Sequence, residues 1–153
     1  MNGNNEANVR VKLLASDACL PERSTCGSAG YDLVANLEEP IVLRPGETAL
    51  IGCGFSVAFD QGYAALIFAR SGLGVRHGIV PANCVGVIDS DYRGEVKVGL
   101  TNHSGASFTI EPGSRIAQMV IVPCVTPDLV LCDELDDTQR GNGGFGSTGV
   151  DAR

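Results

Sequence analysis

The stretch Ile41-Val42-Leu43-Arg44-Pro45-Gly46-Glu47-Thr48-Ala49-Leu50-Ile51 reads as strand, turn, strand. Proline fixes the first turn dihedral and glycine takes the positive one, so Pro45-Gly46 signals a type II turn between two apolar bursts. The same grammar returns in Phe108-Thr109-Ile110, Glu111-Pro112-Gly113-Ser114 and Arg115-Ile116-Ala117-Gln118-Met119-Val120. The echo is too short to establish an internal repeat. Outward from it, Val9-Arg10-Val11-Lys12-Leu13 alternates with period two, as a strand with one buried face does. Further strands are expected at Ala64–Phe68, Cys84–Ile88 and Glu95–Leu100, with turns at Asp60-Gln61-Gly62, Asp91–Gly94 and His103-Ser104-Gly105. A turn or two near Gly72–Gly78 is the only helix candidate. Many short strands separated by turn residues define an all-β sandwich or barrel.

Composition agrees. The 153 residues fit one domain, with a polar N-terminal tail over about 1–8 and a C-terminal arm over about 136–153. Twenty glycines, seven prolines and no tryptophan fit a chain rich in turns. Lys+Arg of 11 against Asp+Glu of 18 gives a net charge of −7, which argues against nucleic-acid binding through a broad basic face. No apolar run is long enough for a membrane-spanning helix, and the polar N-terminus is not a signal peptide. The six cysteines form no Cys-x-x-Cys pair, and two histidines make no zinc site with them. The expectation is free thiols acting as small buried hydrophobes in a reducing compartment.

The last stretch changes character. Acidic Asp133-Glu134-Leu135-Asp136-Asp137 leads into Arg140-Gly141-Asn142-Gly143-Gly144-Phe145-Gly146-Ser147-Thr148-Gly149. Ordering so many glycines costs backbone entropy, so this arm is expected to move until a ligand holds it. Its G-x-G-x-x-G spelling is not a dinucleotide fingerprint, because seven residues after Gly146 cannot supply the required helix and acid. A phosphate-binding P-loop fails too, with Ser147 where lysine belongs. The arm still suits a nucleoside polyphosphate. Backbone N–H groups, two hydroxyls and a guanidinium can surround phosphate oxygens, and Phe145 offers a stacking face worth roughly 1–3 kcal/mol. The alternative is that Phe145 plugs a groove on its own protein.

Other segments carry chemistry. Asp89-Ser90-Asp91-Tyr92-Arg93-Gly94 is expected to close a hairpin, either as plain turn structure or as a pocket. In a pocket, Asn83 and main-chain groups read a base edge, an aspartate orients a water and Tyr92 walls off a sugar. Arg70-Ser71-Gly72 at a strand end can hold phosphate over a helix start. Asp32 is a lone acid in an apolar strand, either structural or facing the waters of a metal. Cys84 has no histidine partner and is expected in a buried strand. An acidic chain that binds a polyphosphate needs a divalent cation, and Mg²⁺ suits carboxylates and phosphates.

In order and spacing, Ala29-Gly30-Tyr31-Asp32-Leu33, Arg70-Ser71-Gly72-Leu73, Gly86–Gly94, Arg115–Met119 and Arg140–Gly149 resemble the five motifs of trimeric dUTP pyrophosphatases (dUTPases). The resemblance runs from about Val9 to Gly149. It implies a jelly-roll-like β subunit, a homotrimer with interfacial active sites closed by the C-terminal arm, and Mg²⁺-assisted hydrolysis of dUTP to dUMP and pyrophosphate. That activity, in the cytoplasm, would keep uracil out of DNA and feed thymidylate synthesis.

By the same resemblance, Asp89 activates the attacking water. Asn83 and the main chain of Val87, Ile88 and Lys97 read uracil, and Tyr92 lies against the deoxyribose. Asp32 acts on Mg²⁺-bound water, and Arg70, Ser71, Gly72 and Gln118 contact the phosphates. Phe145 stacks over uracil while Arg140, Gly146, Ser147 and Thr148 hold the terminal phosphates. Ala69 and Gly74 stand where the family often has proline and alanine. The rival readings are a dCTP deaminase-type relative and a nucleotide-controlled binding or signalling module.

Overall fold

A computed structural model describes residues 8–144. Eleven strands and one short helix follow in chain order: β1 (Arg10–Leu13), β2 (Tyr31–Val34), β3 (Ile41–Leu43), β4 (Thr48–Gly52), β5 (Phe55–Ala58), β6 (Tyr63–Ala69), α1 (Ser71–His77), β7 (Ile79–Pro81), β8 (Gly86–Ile88), β9 (Lys97–Asn102), β10 (Phe108–Ile110) and β11 (Arg115–Pro123). Every ladder is antiparallel. β2 pairs with β11, β3 with β10 and β4 with β9. These pairings nest, as in one long hairpin rolled up on itself, and that topology is jelly-roll-like. The all-β expectation holds, and α1 forms where the helix candidate stood.

Both proline–glycine turns are as expected. Glu47 N–H donates to the Arg44 carbonyl at 3.0 Å and Ser114 N–H to Glu111 at 3.0 Å. Gly46 and Gly113 take φ of 78° and 77°. Yet the strands on either side of each turn do not pair with one another. The echo has a different meaning: the first strands of its two copies pair together, Ile41 opposite Ile110 and Leu43 opposite Phe108.

Leu33, Leu43, Ile51, Phe55, Leu100, Ile110, Ile116 and Met119 fill one core, each 2% exposed or less. Asn102 is a fully buried polar residue, and it is fully satisfied. Its amide donates to the Leu43 and Ala106 carbonyls, and its oxygen accepts from the backbone and hydroxyl of Ser104.

Four expectations need correction. Cys84 is exposed, sits before β8 and adopts φ of 63°, so it is a turn residue and not a buried strand thiol. Only Cys53 is buried; the other five free cysteines are exposed in the single chain because they fall in loops outside the sheet faces. The Asp89–Gly94 turn closes no hairpin ladder: β8 pairs with β6, while β9 pairs with β4 and β7. The turn therefore bridges two sheets, which opens a pocket beneath it. The face of β1 is also only partly covered, with Leu13 45% exposed.

Candidate active site

The bridging turn roofs a pocket of about 330 Å³ whose lining includes Asn83, Gly86, Val87, Ile88, Asp89, Tyr92 and Lys97. β8 is held by β6, with Gly86 opposite Ile67 and Ile88 opposite Ala65. Gly86 has a packing reason: a Cβ there would stand 3.1 Å from the Ile67 Cβ and 3.6 Å from the Asn83 amide nitrogen. The left-handed Cys84 reverses the chain just before, and Val85 N–H donates to the Asn83 carbonyl at 2.7 Å.

Local bonds shape the turn. Tyr92 N–H reaches the Asp89 carbonyl at 3.1 Å, and the Arg93 guanidinium donates to the Ser90 and Tyr92 carbonyls at 2.7 and 2.8 Å. Asp89 itself is exposed at the pocket rim. Val87, 62% exposed, gives the rim an apolar edge, while Ile88 is buried.

A second pocket, of about 340 Å³, is lined by Ser24, Ser28, Ala29, Gly30, Asp32, Arg70, Ser71, Gly72 and Gln118. β11 organises it, because Gln118 lies opposite Asp32 of β2 on one side and Phe68 of β6 on the other. The Gln118 amide donates to the Ala69 carbonyl at 3.0 Å. Arg70 precedes α1, and its carbonyl accepts from Leu73 and Gly74 N–H groups. Gly74 packs tightly, since a Cβ would lie 3.2 Å from Val80 Cγ1. An alanine there would have to displace Val80.

Asp32 is the electrostatic centre of this pocket. Its Oδ1 pairs with Arg70 Nε at 2.9 Å, and its Oδ2 accepts from Arg115 and from the Ser24 hydroxyl, both at 3.0 Å. Partial burial pushes its carboxyl up, but the bonds from Arg115 and Ser24 and the charges of Arg70 and Arg115 outweigh that and hold it below the usual value. Arg70 is fixed a second time by the Arg115 carbonyl at 3.3 Å. Arg115 and Ser24 are residues that sequence reasoning left without a role. Arg115 stood inside a quoted motif, but 83 positions separate it from Asp32.

Among the described residues no three His, Cys, Asp or Glu side chains group as a metal cage. A carboxylate has about four acceptor positions, and three donors occupy Asp32. One position is left for a metal-bound water. The residues thus fit an ion held chiefly by phosphate oxygens and water, not a caged one.

The two pockets share no lining residue. Arg140 joins neither; its Nε donates to the Gly143 carbonyl at 2.8 Å within its own turn. Phe145, Gly146, Ser147 and Thr148 lie outside the described residues.

Fold and pockets together define a jelly-roll-like β domain with two separate surface pockets. The chain matches the dUTPase family over residues 16–149. It is 54% identical over 140 residues to the deoxyuridine 5'-triphosphate nucleotidohydrolase of Hahella chejuensis, covering 91% of this chain and 92% of that protein. The fold superposes on Staphylococcus bacteriophage 80alpha dUTPase with dUPNHPP at a TM-score of 0.85 and 33% identity, covering 94% of this chain and 99% of that one. A mutant dUTPase from S. aureus phage phi11, described with a coordinated structural Mg(II) ion, matches at 0.75 and 29% identity over 83% of this chain and 97% of that one. The chain belongs to the dUTPase family.

Proposed function

We propose that this chain hydrolyses dUTP to dUMP and pyrophosphate, as a single-domain subunit of a homotrimer with interfacial active sites, using Mg²⁺. The observation that carries the reading is the pocket in which Asn83, Val87, Ile88, Asp89, Tyr92 and Lys97 converge. Its volume suits a pyrimidine nucleoside. The Asn83 amide and the main chain at Val87, Ile88 and Lys97 pair with the uracil edge. Cytosine's amino group would leave that pattern mismatched. Tyr92 lies against the deoxyribose.

Asp89, exposed at the rim, takes a proton from water as its oxygen attacks the α-phosphorus. The bond from the α-phosphorus to the bridging oxygen breaks, and pyrophosphate carries that electron pair away. Arg70, Ser71, Gly72 and Gln118 bind the phosphate chain. Arg140, Gly146, Ser147 and Thr148 of the arm hold its end, and Phe145 stacks on the base. Asp32 would hold one water of a Mg²⁺ ion, which when bound would supply charge neutralisation to the phosphate oxygens.

Two observations support the trimer. Base and phosphate pockets are separate within one chain. Val125, Leu129, Val130, Leu131 and Leu135 are 84–97% exposed, an apolar row that neighbouring copies would cover. We place the activity in the cytoplasm, where it limits uracil in DNA and supplies dUMP for thymidylate; no described helix is long and apolar enough to cross a membrane.

The test is pyrophosphate release from dUTP beside dCTP, dTTP and UTP. Release from dUTP alone is expected, falling about 10²–10⁴-fold in Asp89→Asn with dUMP binding retained. Ammonia release from dCTP would favour the deaminase-type relative. A second reading draws on the phage neighbour, whose description has phage dUTPases controlling transfer of virulence genes by a G protein-like mechanism. Binding of dUTP without turnover, together with a protein partner that dUTP displaces, would favour that module.

A further inference from the structure

Glu95 lines the base-side pocket and is partly buried, its side chain 27% exposed. Three bonds meet on this residue. Oε1 accepts the Gly54 backbone N–H at 3.0 Å, across 41 residues of sequence. Oε2 pairs with Lys97 Nζ at 3.3 Å. The main-chain carbonyl accepts the Tyr92 hydroxyl at 3.0 Å.

The seat for this carboxylate is cut from two glycines. Gly52 lies opposite Lys97 in the β4–β9 ladder, and a Cβ on it would collide with Glu95 Oε1. Gly54, at φ +71°, presents its N–H to the same oxygen while Ala18 and Asn36 crowd its other side. Between them the buried Cys53 thiol is pushed up to about 12, by burial and by the Glu95 charge, so it stays neutral. Main-chain bonds from Cys53 to Val96 at 3.0 Å and from Val96 to Phe55 at 2.8 Å complete the junction.

Tyr92 needs such an anchor. Its ring is 44% exposed, so burial does not fix it. It leans on Gly94, where any Cβ would overlap the ring, and it hangs from the Glu95 carbonyl. The ring is therefore only as well placed as Glu95.

We infer that Glu95 is a positioning residue: by seating its carboxylate on the Gly54 N–H and Lys97, it fixes the carbonyl that holds Tyr92 and so sets the preference for deoxyribose over ribose nucleotides. The inference rests on the dUTP reading of this pocket and on Tyr92 as its sugar wall. A 2′-hydroxyl adds one oxygen, so a ring shift of about 1 Å is enough to admit it.

The experiment is calorimetric binding of dUMP and UMP to the full chain, with pyrophosphate release from dUTP run in parallel and thermal melts to show folding. Glu95→Ala and Gly52→Ala are expected to lower the dUMP-to-UMP affinity ratio about tenfold. Glu95→Gln keeps an acceptor for Gly54 and is expected to retain most of the ratio. A folded Glu95→Ala with the wild-type ratio, or with equal loss for both nucleotides, overturns the inference and leaves Glu95 structural. A ratio as low in Glu95→Gln as in Glu95→Ala overturns the seat on Gly54. Should Glu95→Ala fail to fold, Gly52→Ala carries the test, because it displaces the carboxylate without removing it. A wild type that neither prefers dUMP nor releases pyrophosphate overturns the dUTP reading itself; one that does both, with an unmoved ratio in the variants, overturns only the role of Glu95.

Discussion

The base-side pocket and the Asp32 pocket are nearly equal in volume, about 330 and 340 Å³, but they are held by different forces. The first is shaped chiefly by short-range bonds to main-chain carbonyls within residues 83–97, with one longer bond from Gly54 to Glu95, and by glycines that let strands and a tyrosine ring come close. Its one pair of opposite charges, Glu95 with Lys97, cancels locally. The second is held by charge across the fold, with two guanidinium groups on one carboxylate. That leaves one positive charge in excess on a chain whose net charge is −7. A neutral base is recognised by shape and directed hydrogen bonds, whereas a polyanion needs local positive charge before it can approach an acidic protein.

Pockets held by different forces break separately. Among variants that separate the pockets, the largest effect is expected from Arg70→Ala, which removes the better-buried guanidinium and frees Asp32 Oδ1. Turnover of dUTP, as kcat/KM, is expected to fall about 10²-fold, in line with losing one charged donor to a transferring phosphoryl group. Deoxyuridine affinity is expected to stay within twofold of wild type. Equal losses in both measurements would show the pockets to be one cooperative unit.

The same contrast governs what could be read from the chain. Asn83, the strand into Ile88 and the Asp89–Gly94 turn lie within fifteen positions, so they could be grouped from the sequence, but spacing alone left plain turn structure and a pocket both open. Even there the ladder was misread, since nothing local says that β8 joins β6 and leaves β9 to another sheet. Asp32 was legible as an unusual acid in an apolar strand, but its partners were not. Arg115 is 83 residues away, and only the β2–β11 ladder brings the two together. Glu95 was missed for the converse reason: its neighbours were in plain view, but the Gly54 N–H that gives it purpose belongs to a distant corner. Turn chemistry is written in adjacent residues, whereas ion pairs across a rolled sheet are written in the topology.

Gly94→Ala sharpens the comparison from the other side. The new Cβ would lie 2.6 Å from Tyr92 Cζ, so the ring has to leave the Glu95 carbonyl. Affinity for dUMP is expected to drop about tenfold, near 1.4 kcal/mol. Inhibition by pyrophosphate, which the proposed mechanism seats in the charged pocket and the C-terminal arm, is expected to be unchanged. Weakened pyrophosphate inhibition would mean that the turn also shapes the Asp32 side.

The smallest effect is a pH signature from the charged pocket. Asp32 is held below its ordinary value of 3.8 once folded. Folding therefore favours the ionised form, and the stabilisation is fully present above the unfolded value and lost as pH falls through the lower folded one. Asp32→Asn keeps the size but discards the charge, leaving Arg70 and Arg115 facing each other without a counterion. Urea unfolding is expected to find the variant about 1–2 kcal/mol less stable at pH 7, the cost of charged hydrogen bonds lost at a mostly buried site. The gap between wild type and variant is expected to close as pH drops below about 4, because protonated wild type then resembles the amide. A gap that stays constant from neutral to acid would mean that Asp32 stabilises by packing alone. Arg70 would then owe its placement to the Arg115 carbonyl, and the charged pocket would be held, like the base-side one, by main-chain bonds.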